Sequence, residues 1–125
     1  MTDIVLYEKA KEAKEKAYAP YSGYKVGAAI LTESGQVYTG CNVECASSPC
    51  GICAERVALA KAVSEGNRKF SAIAVSGDEE RGCTPCGACR QALMEFSPEM
   101  KVIYKKDGKT EVKLLKELLP DFFVY

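Results

Sequence analysis

The sequence predicts an α/β protein: a three-layer α/β/α sandwich built on a five-stranded mixed sheet. Three observations point there. Apolar runs of strand length alternate with helical segments in the order α-β-β-α-β-α-β-β-α. The two middle helices each lie between strands, which calls for two right-handed β-α-β crossovers and helices on both faces. Two turn signals, Glu33-Ser34-Gly35-Gln36 and Asp107-Gly108, demand antiparallel hairpins in the same sheet.

Each element can be justified in chain order. Asp3 to Tyr18 reads as a helix. Thr2 is placed to cap it, Ala10, Ala13 and Ala17 favour it, and Ile4, Tyr7, Lys11 and Lys14 fall three or four apart. Ala19-Pro20-Tyr21-Ser22-Gly23 breaks that pattern. Lys25 to Thr32 is an apolar strand, and Val37 to Val43 is its return partner. Cys45 to Gly51 holds Ser47, Ser48 and Pro49 and reads as a loop. A helix follows from Cys53 to about Ser64, with Gly66 just past its end. Phe70 to Ser76 is the third strand, and Asp78 to Thr84 a charged loop. Pro85 precedes a helix from about Gly87 to Phe96, stopped before Pro98. Lys101 to Lys105 and Thr110 to Lys113 form the second hairpin. Leu114 to Leu119 makes a short helix before Pro120.

Composition bounds the function. The chain has 125 residues, the length of one domain, taken as residues 1–125. Hydrophobic residues make up 47% and charged residues 27%, which suits a folded soluble chain. Seventeen basic residues balance seventeen acidic ones. That neutrality argues against nucleic acid as a partner, because phosphate contacts need a basic surplus or patch. No apolar run is long enough to span a membrane. The first residues carry acids from Asp3 onward and do not read as a signal peptide, so a cytoplasmic location is expected. There is no histidine, which removes His bases, His ligands and Cys-His nucleophiles together. There are seven cysteines, an odd number. In a reducing compartment, clustered thiols read as metal ligands or catalytic groups.

The thiols cluster in two segments, Cys50-Gly51-Ile52-Cys53-Ala54-Glu55-Arg56 and Cys83-Thr84-Pro85-Cys86-Gly87-Ala88-Cys89-Arg90. Both stand at a loop-to-helix junction, where backbone amides and the helix dipole favour a thiolate. Three readings compete. Cys50, Cys53, Cys86 and Cys89 could close a structural zinc site. One Cys-x-x-Cys pair could be redox-active. Or Cys53, Cys86 and Cys89 alone could hold zinc, leaving the fourth position open to water as catalysis requires. In the third reading Glu55 lies where its carboxylate reaches that water without ligating the metal.

These segments resemble the zinc-dependent nucleoside deaminases, and specifically the small homotetrameric cytidine deaminases. The match is to a known signature: Cys53-Ala54-Glu55-Arg56 followed by Pro85-Cys86-Gly87-Ala88-Cys89-Arg90-Gln91. It extends to Tyr21-Ser22-Gly23-Tyr24-Lys25-Val26-Gly27-Ala28-Ala29, to Gly40-Cys41-Asn42-Val43-Glu44, and to Glu117-Leu118-Leu119-Pro120. The resemblance implies the fold already predicted and a single Zn²⁺ per chain on Cys53, Cys86 and Cys89. It implies hydrolysis of cytidine or deoxycytidine to the uracil nucleoside and ammonia, as in pyrimidine salvage. Glu55 is implied as the proton shuttle between water, ring N3 and departing ammonia. Asn42 and Glu44 match the pair that binds ribose, Tyr24 stands where the family usually has Phe beside the nucleoside, and Ala54 joins the substrate contacts. Arg56 is implied to offset the thiolate charge. Arg90 could do the same, or be a solvated or subunit-contact residue.

Two departures bear on the pocket. Where the family reads Asn-x-Glu-Asn-Ala-x-Tyr, this chain reads Asn42-Val43-Glu44-Cys45-Ala46-Ser47-Ser48. The related blasticidin S deaminases have a similarly altered loop, so a modified cytosine nucleoside is the alternative substrate. A catalytically silent zinc-stabilised fold is the third possibility. The tail Phe122-Phe123-Val124-Tyr125 is too apolar for a free end. The resemblance implies a homotetramer in which Phe123 or Tyr125 approaches a neighbour's nucleoside.

Overall fold

A computed structural model describes residues 1–125. The elements are α1 (Asp3–Lys14), β1 (Gly27–Thr32), β2 (Val37–Cys41), a 3₁₀ turn (Ser48–Cys50), α2 (Ala54–Ser64), β3 (Phe70–Ser76), α3 (Gly87–Met94), β4 (Lys101–Lys106), β5 (Lys109–Leu114) and α4 (Leu115–Leu118). The Thr2 hydroxyl caps α1, accepting from the Val5 amide at 3.2 Å. The sheet order is β2-β1-β3-β4-β5. Only β3 and β4 pair in parallel; every other neighbour is antiparallel.

This order makes the two crossovers. Strands β2 and β3 both run antiparallel to β1, so they are parallel to each other. Helix α2 therefore crosses over β1 from β2 to β3, and α3 links the adjacent parallel pair β3 and β4. Both helices start beyond the carboxyl ends of parallel strands, the position where open α/β sheets build their sites.

Side chains alternate between the two faces with the strand period. On one face Leu6, Tyr7 and Ala10 of α1 pack against Ala29, Ala72, Ala74 and Ile103. On the other, Ala58, Leu59 and Ala62 of α2, Leu93 of α3 and Leu115 of α4 cover Ile30, Ile73, Val75 and Val102. Each of these larger fully buried aliphatics stabilises the fold by about 1.5–3 kcal/mol.

Three predicted boundaries move, for one shared reason. α1 stops at Lys14 instead of Tyr18, β1 starts at Gly27 instead of Lys25, and β2 ends at Cys41 instead of Val43. The residues left over bind one another. The Tyr18 amide donates to the Asn42 carbonyl at 3.0 Å, and Val43 bridges both Tyr18 and Ile52. The Asn42 side chain accepts from the Val26 amide at 2.8 Å and donates to the Tyr24 carbonyl at 2.9 Å. The Asn42 side-chain amide thus holds the 24–26 segment in place of ladder bonds, while the Asn42 carbonyl receives the chain leaving α1. The third helix ends at Met94, short of the predicted Phe96.

Close approach of α2 to the sheet depends on Gly40. A Cβ there would lie 2.6 Å from both the Ala54 carbonyl oxygen and the Val57–Ala58 side of the helix at the Ala58 nitrogen. Backbone cannot yield as a flexible side chain can. Gly40→Ala is therefore expected to push the first turn of α2 outward and to cost about 1–3 kcal/mol. A thermal melt run with a zinc assay checks this; unchanged values for both would show that the helix start has slack.

Candidate metal centre

Cys53 is the N-cap residue of α2 and Cys86 the N-cap residue of α3. Neither side chain caps its helix, so both thiols are available at positive helix ends. Cys89 is one turn into α3 and fully buried. The three sulfurs lie within 4.8 Å of one another. Cys53 Sγ and Cys86 Sγ are 3.8 Å apart, and Cys86 Sγ and Cys89 Sγ 3.4 Å. Tetrahedral zinc with Zn–S of ~2.3 Å needs sulfurs spaced by about 3.8 Å, so the cluster fits the ion with little adjustment. Cys50, exposed on the 3₁₀ turn, is outside the cluster, and so are Cys41, Cys45 and Cys83. All seven cysteines are free.

The acid beside the cluster is buried. Glu55 is only 4% exposed. Its carboxylate faces the Cys89 thiol and the backbone at Cys86. Burial pushes its pKa above the usual carboxylate range, against the pull of those hydrogen bonds and of Arg56. Burial also pushes Cys53 up, opposed by Arg56, while burial and the Glu55 charge push Cys89 up. For Cys86 burial is outweighed by hydrogen bonds from the Cys89 amide and from both partner thiols, so its pKa falls.

Arg56 supplies the nearest positive charge. Its Nη2 donates to Cys53 Sγ at 3.8 Å. The neighbouring thiols in turn stabilise its guanidinium. Its Nε is buried with no partner. Thiolates holding a divalent ion carry a net negative charge, and a guanidinium alongside offsets it.

The remaining expected site residues fall into two groups. Glu44 stands with its carboxylate on the 20s loop, accepting from the Tyr21 amide at 3.0 Å, the Ser22 amide at 3.1 Å and the Ser22 hydroxyl. These bonds hold its pKa below the usual range. It lines a cavity of about 320 Å³ with Tyr21, Ser22, Cys45, Ala46 and Ser48. The Asn42 amide is engaged with Val26 and Tyr24 as described. Tyr24 hangs from the same segment, and its hydroxyl accepts from the Asp78 amide at 3.0 Å beside Cys83. Ala54 is fully buried in the core at the start of α2. Phe123 and Tyr125 are exposed at the tail, beside a cavity of about 270 Å³ bounded by Gln91, Met94 and Glu95.

Arg90 does not join the thiol cluster. It makes no hydrogen bond to a thiol, and two of its donors are taken by backbone carbonyls. Its Nε donates to the Pro85 carbonyl and its Nη1 to the Leu118 carbonyl, each at 2.7 Å. The neighbouring Gln91 Nε2 donates to the Phe123 carbonyl at 3.0 Å. Sequence reasoning missed these bonds because their acceptors are backbone groups, which a motif does not display.

Comparison with known proteins now bears on this geometry. Residues 1–106 match the family described as the cytidine and deoxycytidylate deaminase zinc-binding region. The chain belongs to this family. It is 45% identical over 120 residues to the cytidine deaminase of Sporosarcina psychrophila, a match covering 94% of this chain and 88% of that one. It superposes on the crystal structure of cytidine deaminase from Burkholderia pseudomallei with a TM-score of 0.93 and 49% identity, covering 98% of this chain and all of the other. A blasticidin-S deaminase from Bacillus cereus is a more distant relative, 30% identical over 126 residues and covering 94% of this chain and 89% of the other. Zinc is the cofactor of this family's domain, and the three thiols of the deaminase site fit it.

Proposed function

We propose that the protein deaminates cytidine and deoxycytidine hydrolytically, releasing ammonia and the uracil nucleoside. One observation carries the reading beyond family membership: a buried carboxylate, Glu55, faces a cluster of three thiols instead of four. A structural zinc site has no use for that acid, and it leaves no position open. Zinc, when bound, supplies a Lewis acid that makes water nucleophilic near neutral pH.

The chain's own residues do the rest. Cys53, Cys86 and Cys89 hold the ion. Glu55 accepts one proton from the attacking water and delivers it to ring N3, then takes the second from the hydroxyl that the water has become on C4 and passes it to the leaving amine. Its raised affinity for protons suits a group that must both take and give them. Arg56 offsets the thiolate charge. Asn42 and Glu44 bind the ribose, each with hydrogen-bonding capacity beyond its present bonds. Tyr24 flanks the base, and Ala54 joins the contacts from the helix start. A polymer is a poor substrate, because its 3′-oxygen is esterified where the Glu44 carboxylate must accept a hydroxyl. The test is loss of absorbance in the cytosine band on adding protein to cytidine, deoxycytidine or a short oligonucleotide. Turnover of the nucleosides and not the oligonucleotide is expected; turnover of none, by zinc-loaded protein, would leave a silent fold.

The cavity beside Glu44 favours a second substrate arm. Cys45 and Ser48 line it where the family usually carries Asn and Tyr. This difference is the reason to test a modified cytosine nucleoside, and blasticidin S belongs in the same assay.

Residues 1–125 are proposed as one catalytic domain, acting in the cytoplasm in pyrimidine salvage. No helix is long and apolar enough to cross a membrane. A homotetramer is proposed from the tail. Phe123 is 69% exposed and Val124 76%. Apolar surface of that kind needs a cover, and a neighbouring copy supplies it. Removing residues 122–125 is expected to lower the mass in solution and the activity on cytidine together. A truncated protein that stays tetrameric and fully active would show that the tail neither joins subunits nor completes the pocket.

A further inference from the structure

The first turn of α3 does two things at once. It carries Cys86 and Cys89, and through Arg90 and Gln91 it grips the C-terminal segment. Pro85 is fully buried, and its carbonyl belongs to the peptide that enters Cys86. A buried carbonyl needs a partner, and Arg90 Nε is one at 2.7 Å. Leu118 ends the single turn of α4, so its carbonyl is one of the unpaired acceptors of a helix end. Arg90 Nη1 meets it at 2.7 Å. Beyond it the chain reverses at Asp121, with φ of 51°, and reaches Phe123, whose carbonyl takes the Gln91 bond. One planar guanidinium therefore spans two backbone segments that are 33 residues apart (85 and 118). Only a rigid fork with donors on two edges can do this; an ammonium is a single point.

We propose that Arg90 is a positioning residue for the deamination: it locks the loop entering zinc ligand Cys86 and the C-terminal tail into one register. The inference rests on the reading that Cys53, Cys86 and Cys89 hold zinc. Loss of the guanidinium frees the Pro85–Cys86 peptide to rotate, which loosens Cys86. It also frees the Leu118 carbonyl, which loosens the path to Phe123. The two effects share one cause and must appear together.

The experiment compares wild type, Arg90→Met and Arg90→Lys as full-length, zinc-loaded proteins. Zinc release to a chromogenic chelator is followed without substrate, and amide hydrogen exchange is followed at residues 85–90 and 118–123. Arg90→Met is expected to release zinc about tenfold faster or more, as groups that orient metal ligands usually do when removed. Exchange should rise in both segments. Arg90→Lys should restore protection in one segment and not the other. Values of kcat and KM for cytidine are measured in parallel: Arg90→Met is expected to raise KM in the full-length protein and to raise it no further in a protein that already lacks residues 122–125. In Arg90→Met, faster exchange confined to one segment overturns the proposal, as does zinc release within twofold of wild type. If Arg90→Met does not fold, Arg90→Lys alone decides, because full protection of both segments by lysine also overturns it. A wild-type protein inactive on nucleosides would sink the proposed reaction, yet zinc release and exchange would still judge Arg90.

Discussion

Glu55→Gln leaves a folded, zinc-loaded protein with almost no turnover. The amide has nearly the shape of the acid, so the pocket against Cys89 stays filled. It cannot accept a proton from water, and it cannot give one to ring N3 or to the leaving amine. General acid–base catalysis alone is worth about 10²–10⁴-fold, and this residue is asked to serve at more than one step. Stability should hold, because removing an ionisable group that is only 4% exposed removes a desolvation cost along with its hydrogen bonds. Steady-state kinetics on cytidine, zinc content and a melting curve measured on one preparation check all three statements. Turnover close to wild type would remove Glu55 from the mechanism. Loss of zinc would instead make it a structural support of the thiols.

Much of this was legible in the sequence, and the exceptions share a physical origin. The strand Phe70–Ser76 was read to the residue because a continuous apolar run between turn signals has few alternatives. Helix α3 was placed by Pro85 and Gly87 for the same kind of local reason. Cys53, Cys86 and Cys89 were grouped because two helix starts with paired thiols make a recognisable spacing. The errors fell where one side chain replaces backbone pairing. The Asn42 side chain holds the 24–26 segment just before β1, and no periodicity announces an amide in that role. The bonds of Arg90 are not legible in the sequence because its partners, the Pro85 and Leu118 carbonyls, have no identity there. Gln91 stands within the motif, and its bond to the Phe123 carbonyl, which ties the tail to the same helix, is equally invisible there. Long-range contacts to backbone are the part of a fold that a residue pattern cannot display.

The choice between a closed and an open zinc site can be made with two cysteines. Cys89→Ala is expected to lose zinc, activity and stability together. Its sulfur is fully buried in the cluster, and without it two thiols remain. Zinc binding is coupled to folding wherever the folded state alone presents the ligands, so the melting temperature should fall as the metal leaves. The protein should still fold, because the core on both faces of the sheet lies outside the site. Cys50→Ala is expected to behave like wild type in all three respects. Cys50 is exposed and stands apart from the three clustered sulfurs, and substitutions at such positions usually stay within about 0.5 kcal/mol. Metal content after dialysis against a chelator, with melting curves for both variants, decides the matter. Zinc loss in Cys50→Ala equal to that in Cys89→Ala would mean four protein sulfurs on the ion. Water would then have no place on the metal, and Glu55 no proton to take from it.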